Sequence, residues 1–243
     1  MTLDLPAPAR ALAIGAHPDD IEFGSGATLA KWAAAGCEVH LLVLTDGSKG
    51  TWDGDADLHA LVKQRKAEQE AAARTIGASA VTFLDAVDGE LDERPAYQAA
   101  VCEAIRRARP DVVVAHDPWK RYRIHSDHRH AGFLALDGIV AARDPHFFPE
   151  QGVAPHRPDQ LLLFEADVAD HGERIDAFVD RKIAALLCHT SQWRSTMGID
   201  PEADTRDEQR EAFAARIRDE ARTAAESLRI DGFAETFKRI DEL

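Results

Sequence analysis

The chain has 243 residues, 45% of them hydrophobic and without a low-complexity tract, which suffices for a sizeable packed core and excludes intrinsic disorder. Its 43 Asp+Glu against 29 Lys+Arg leave a net charge of −14, the wrong sign for tracking a phosphate backbone, so nucleic acid is excluded as a partner. Cys37, Cys102 and Cys188 are too scattered for a disulfide framework or zinc ribbon, and no run approaches the ~20 apolar residues of a membrane span or the core of a signal peptide. A cytoplasmic protein without membrane insertion is expected.

In chain order, apolar runs alternate with helix-length segments, the pattern of parallel strands joined by crossover helices. Strands are predicted at Ala11–Ala16, Val39–Thr45, Val81–Leu84, Val112–Ala115 and Leu161–Phe164. Helices are predicted at Ala27–Ala35, Leu58–Ile76, Tyr97–Arg107, Asp127–Ala142, Glu173–Cys188 and Asp207–Leu228. Gly36, Gly77 and Pro110 stop the first three of these. The expected fold is α/β: a Rossmann-like, doubly wound, mostly parallel sheet in a single domain spanning 1–243. Ligands of such sheets bind outside the carboxyl ends of the strands. A 3-2-1-4-5 strand order would make the loops after the first and fourth strands neighbours there.

The loop after the first strand reads His17-Pro18-Asp19-Asp20. Adjacent carboxylates repel, and a nearby cation is the simplest way to tolerate them. A histidine with a carboxylate suits zinc, whose catalytic sites hold three protein ligands and a water. The segment after the fourth strand, His125-Ser126-Asp127-His128, is nominated for the third ligand, since its side chains would face the same crevice. The competing reading of Asp19 and Asp20 as a helix cap accounts for one aspartate, not the tetrapeptide. His116 and His130 are read as surface or supporting residues rather than ligands. Gly24-Ser25-Gly26 lacks the flanks of a Walker A loop, a nucleophile elbow or a dinucleotide fingerprint.

These motifs carry a resemblance. Ala16-His17-Pro18-Asp19-Asp20, continuing through Glu22-Phe23-Gly24-x-Gly26 and Thr28-Leu29, together with His125-x-Asp127-His128, resembles the LmbE-like, or PIG-L, zinc-dependent N-deacetylases. Thr45-Asp46-Gly47, Arg65-x-x-Glu68, Phe83-Leu84, Lys182, His189-x-Ser191-Gln192 and Phe233-Ala234-Glu235-x-Phe237 extend it over nearly the whole chain. Members act on N-acetylglucosamine-containing glycoconjugates, including intermediates of thiol-sugar and glycosylphosphatidylinositol synthesis and some antibiotics. The resemblance implies Zn2+, with Fe2+ as a substitute, held by His17, Asp20 and His128. It implies Asp19 as general base, His125 as donor to the oxyanion and Asp127 as the carboxylate that orients His125.

Pro18 would restrict the turn so that His17 and Asp20 reach one ion while Asp19 stays free for a proton. Arg65 is either a substrate contact or part of a solvated helix face. Asp88 is a turn residue beside Gly89 or a sugar-hydroxyl contact, and His189 reaches the pocket or caps the preceding helix. The pattern departs from the family at Ser126, where relatives carry proline, and at Arg123, where some sugar-thiol deacetylases place a tyrosine. These departures weaken assignment to the mycothiol branch. The proline-rich segment 144–158 is expected to form a specificity region of this chain's own, able to close a second subunit's pocket in a homo-oligomer. A small glycoside or glycoconjugate is the expected partner. The alternatives are a zinc amidase for a larger acyl group or thiol-sugar conjugate, and a non-catalytic glycoconjugate-binding module.

Overall fold

In a computed structural model describing residues 1–243, one eight-stranded sheet runs through the molecule. Its strands are β1 (Thr2–Leu3), β2 (Arg10–Gly15), β3 (Glu38–Thr45), β4 (Ala80–Ala86), β5 (Val112–His116), β6 (Gln160–Phe164), β7 (His171–Arg174) and β8 (Ala234–Asp241). They lie in the order β1-β7-β8-β6-β5-β2-β3-β4. The stretch β4-β3-β2-β5-β6 is parallel and is the expected 3-2-1-4-5 arrangement. Only β8 runs against its neighbours β6 and β7.

The central strands read as continuous apolar runs because both faces are covered. On β2, Leu12 and Ile14 join a layer with α3 (Pro95–Ala108) and α4 (Ser126–Arg143). Ala11 and Ala13 face the opposite layer, formed with α1 (Asp20–Ala34) and α2 (Leu58–Ile76). Asp57 caps α2 by accepting from the amides of His59 and Ala60, and Gly77 ends it at φ 86°. α5 (Val179–Leu186) and α6 (Arg206–Ser227) complete the outer layer. No helix is long and apolar enough to cross a membrane.

Three expectations need correction. The first helix starts at Asp20 rather than Ala27. Gly24 serves packing, since a Cβ there would lie 2.3 Å from the Phe164 ring. Glu173–Cys188 is not one helix: His171–Arg174 pairs with β8, and helix is confined to α5. The segment 144–158 does not approach the pocket. It lies at the far end of α4, 18 residues from the start of that helix, or roughly 27 Å along its axis. There the buried Arg106 guanidinium pins it, donating to the carbonyls of Ala141, Ala142, Asp144 and Phe147 at 2.8–3.2 Å.

Candidate metal centre

The carboxyl ends of the parallel strands converge. His17 follows β2, Asp88 follows β4, His116 ends β5 and Glu165 follows β6. The first turn of α4 brings in Asp127 and His128, with His125 at its N-cap. Each is a polar group at the end of an apolar strand or the start of a helix, where backbone geometry sets direction and side chains are free for chemistry.

Asp20 occupies the middle. Its Oδ2 lies 3.3 Å from His17 Nδ1 and 3.2 Å from His116 Nε2, and its Oδ1 lies 3.4 Å from His128 Nε2. Oδ2 also accepts the His17 amide at 2.7 Å. Burial pushes the Asp20 carboxyl up, but the imidazoles of His128, His116 and His17 outweigh it and hold the group well below the ordinary carboxylate range. His125 stacks on His128 with centroids 4.7 Å apart and meets His17 edge-on at the same distance.

His17 is oriented from behind. Its Nε2 is 3.1 Å from Asp88 Oδ1 and 3.2 Å from Asp127 Oδ2. Against the opposing effect of burial, these two carboxylates and Asp20 hold the imidazole well above the ordinary histidine range; Asp88 and Asp127 fix a proton on Nε2, so Nδ1, facing Asp20, is the atom that would ligate a cation once its own proton is lost. Asp88 is thus a partner of the histidine rather than a free sugar contact. Asp127 departs from expectation in the same way, because its Oδ2 serves His17 and the Gly89 amide at 2.6 Å, not His125.

Asp19 adjoins Asp20 but faces a different set of groups. Its backbone is left-handed, at φ 100°, a strained conformation for a side chain with a Cβ. It sits at the N-cap of α1 without any capping hydrogen bond from its side chain. The strain is held by α2: Arg65 Nη2 donates to Pro18 O at 2.7 Å, while Gln69 Oε1 accepts the Asp19 amide at 2.9 Å. Arg65 and Gln69, one turn apart, thereby grip the two polar atoms of a single peptide plane. Gln69 Nε2 in turn donates to the buried Glu22 at 2.7 Å. Burial raises the Asp19 carboxyl to about 6, against the lowering influence of Arg65, whose Nη2 is 3.5 Å away.

The donor set fits a divalent cation. His17, His125 and His128 present ligating atoms within 4.8 Å of one another, as do Asp20, His116 and His128. The buried Asp127 Oδ1 has no partner. Burial depresses His128 to about 4, so its ring is neutral and carries a lone pair. Arg123 Nη1 donates to His128 Nδ1 at 2.5 Å, which places the ring proton on Nε2. Ligation through Nε2 therefore requires that proton to shift to Nδ1, leaving Arg123 to Glu165 alone.

A cleft of about 560 Å³ opens outward from His17, Asp19 and Asp20. Arg65 and Asp88 border it, although their polar atoms are largely occupied as described. His189 does neither of the things considered for it: its ring is fully buried, 3.6 Å from Glu22 and outside the cleft lining. Of the two readings of His116 the structure shows the supporting one, buried against Asp20. Two contributors escaped the sequence reading: Glu165 binds Arg123 at the cleft wall, and Gln69 holds the Asp19 peptide. His116 and Glu165 share the signal that exposed His17, a polar residue closing an apolar strand.

A His/Asp cluster at the carboxyl edge of an open sheet, with one neighbouring carboxylate kept off it, is the arrangement of a metal-dependent hydrolase. A family model described as GlcNAc-PI de-N-acetylase matches residues 12–139, and the chain belongs to this PIG-L family. It is 34% identical over 187 residues to the diacetylchitobiose deacetylase of Thermococcus kodakarensis, covering 76% of this chain and 70% of that protein. It is also 34% identical over 177 residues to the 1D-myo-inositol 2-acetamido-2-deoxy-alpha-D-glucopyranoside deacetylase of Streptomyces avermitilis, covering 61% of this chain and 58% of that one. Among solved structures, N,N′-diacetylchitobiose deacetylase of Pyrococcus horikoshii in complex with its inhibitor MPG superposes with a TM-score of 0.85 at 28% identity. That match covers 96% of this chain and 84% of the other.

Proposed function

We propose that this chain, acting as one domain over residues 1–243, is a metal-dependent hydrolase that removes the N-acetyl group from an N-acetylglucosamine-type sugar. One observation carries the reading: two adjacent carboxylates are held apart, Asp20 among imidazoles and Asp19 in a strained turn beside the cleft. By their descriptions, one relative named above deacetylates diacetylchitobiose and the other a 2-acetamido-2-deoxy-glucopyranoside.

His17, Asp20 and His128 would hold the ion, with zinc suited to this nitrogen and oxygen set and Fe2+ able to replace it. When bound, a divalent ion there supplies Lewis acidity and makes water easier to deprotonate. Asp19 takes the proton of the attacking water, a task suited to a carboxyl raised to about 6. His125, lowered by burial and by the neighbouring His17, is a neutral donor facing the reacting carbonyl as negative charge builds on its oxygen. The proton held by Asp19 is then available to the departing amine. Asp88 and Asp127 keep His17 in the ligating tautomer throughout.

An amidase for a long acyl chain is disfavoured, because only two of the 17 residues lining the cleft are large and apolar, Phe23 and Trp52. A non-catalytic binding module would have no use for the strain stored at Asp19. The test is elemental analysis of purified protein alongside acetate release from N-acetylglucosaminides, before and after chelation. Stoichiometric divalent metal and acetate release that stops on chelation and returns with zinc are expected. Metal-free protein that still releases acetate, or loaded protein that releases none, refutes the proposal.

A further inference from the structure

Two sequence motifs take no part in the chemistry: Glu68 of Arg65-x-x-Glu68, and the short turn Thr190–Gln192 that follows His189. Glu68 and His189 are buried, and neither they nor Ser191 line the cleft, so they are not placed to touch a substrate. Their contacts run instead to the groups that shape the Asp19 turn.

The Glu68 carboxylate takes four donors. Thr190 Oγ1 at 2.7 Å, the Ser191 amide at 2.9 Å and Ser191 Oγ at 2.6 Å reach it from the turn, and Gln64 Nε2 at 2.8 Å from its own helix. Arg65, Glu68 and Gln69 stand at i, i+3 and i+4 of α2, on one face. The side chain fastened to the turn is therefore flanked by the two that grip the Asp19 peptide. The same segment makes two further attachments. Gln192 Nε2 donates to Gly50 O at 3.0 Å, and a Cβ on Gly50 would lie 2.1 Å from Arg65 Nη1, so the loop after β3 closes directly on the gripping guanidinium. His189 Nε2 lies 3.6 Å from Oε2 of Glu22, whose Oε1 accepts Gln69 Nε2.

Cohesion alone does not call for this arrangement. An apolar side chain joins two segments without the desolvation cost of a buried carboxylate, whereas a carboxylate taking charge-assisted hydrogen bonds from two segments fixes direction as well as contact. Direction is what the Asp19 turn requires, since its left-handed backbone is held through the two polar atoms of one peptide plane. We infer that Glu68 and Ser191 are positioning residues for the hydrolytic step: they lock α2 against the 190–192 turn and thereby keep the Asp19 carboxylate aimed into the cleft. The inference rests on the deacetylase reading and gives that reaction a supporting set outside the cleft.

The experiment is a double-mutant cycle on kcat, read as acetate release from an N-acetylglucosaminide by zinc-loaded protein. Glu68→Ala lowers kcat about tenfold and Ser191→Ala about threefold, with KM and metal content unchanged, and Ser191→Thr, which keeps the hydroxyl, restores most of the loss. In the Asp19→Asn background neither substitution adds to the loss, since no carboxylate is left to aim. Arg106→Lys, which loosens the far end of α4, reads the effect of lost stability alone and leaves kcat in place. Exchange of the Asp19 amide hydrogen, followed by NMR on metal-free protein, needs no turnover: it quickens about tenfold or more in Glu68→Ala and stays as in the wild type in Arg106→Lys. Losses that multiply in the Asp19→Asn background, an equal loss of kcat in Arg106→Lys, or an Asp19 amide as protected in Glu68→Ala and Ser191→Ala as in the wild type overturn the inference. A wild type that releases no acetate while the Asp19 amide quickens as expected removes the deacetylase reading and leaves the positioning of Asp19 standing.

Discussion

Asp19→Asn tests the division of labour between the two adjacent carboxylates in two independent ways. Asparagine keeps the shape and tolerates the left-handed backbone at φ 100°, so the loop should persist. Loss of a general base lowers kcat by about 100- to 10,000-fold, with metal content unchanged. The second readout is stability. A carboxyl whose proton affinity rises from an ordinary 3.8 to about 6 on folding disfavours the ionised folded state by on the order of 3 kcal/mol. That raised value favours folding fully below 3.8, and the benefit is lost as pH rises through about 6. Chelated Asp19→Asn should therefore match chelated wild type near pH 4 and exceed it at pH 8 by up to about 5–10 °C in Tm. Arg65, left without its partner, offsets part of the gain. Chelation matters because a bound cation would itself favour the carboxylate. Asp20→Asn should instead lose the ion and turnover together, its carboxyl having the opposite shift. Wild-type turnover in Asp19→Asn, metal loss equal in both variants, or a Tm difference without pH dependence would refute the reasoning.

His125→Ala should lower kcat about 100-fold or more, through loss of a donor to the developing oxyanion, and leave metal content intact as judged by elemental analysis. Gln69→Leu releases the Asp19 amide and strands Glu22, so kcat should fall about tenfold with KM little changed, a split read from initial rates. Gly24→Ala would drive a Cβ to 2.3 Å from the Phe164 ring, and denaturant unfolding should show a loss of about 1–3 kcal/mol or more.

The parallel centre of the sheet was legible because strands covered on both faces leave unbroken apolar runs, as in Ala11–Ala16 and Val112–Ala115. The edge was not. β7 is His171-Gly172-Glu173-Arg174, and β8 mixes Glu235, Thr236, Lys238, Arg239 and Asp241 with only three apolar residues; neither carries the apolar run of a central strand, and their pairing is settled by long-range contact. The metal motifs were legible as residue types, whereas the partners of each atom were not. Asp127 three residues before His130 and two after His125 gives no hint that its carboxylate reaches His17, which depends on how far α4 turns before meeting β2.

Motif residues remote from the centre acquire a physical purpose through α1. Glu235 accepts the amides of Ala27 and Thr28 at 3.2 and 2.8 Å, and Lys182 donates to Phe23 O at 2.7 Å while pairing with Glu235 at the same distance. An ion pair thus enters the hydrogen-bond ladder of the helix whose first residue is Asp20. The two ends of this helix region answer to different masters: its middle is fastened to β8 and α5, while the peptide preceding it is gripped by Arg65 and Gln69 from α2. With the helix axis fixed, the only freedom left at its start is rotation about the Asp19 backbone, and the α2 grip removes that by imposing a positive φ. Glycine would adopt this conformation without strain but would bring no carboxylate. The strained aspartate is what makes one carboxylate turn to the imidazoles and its neighbour to the cleft, so the chemistry depends on helix packing as directly as on the residues that carry it.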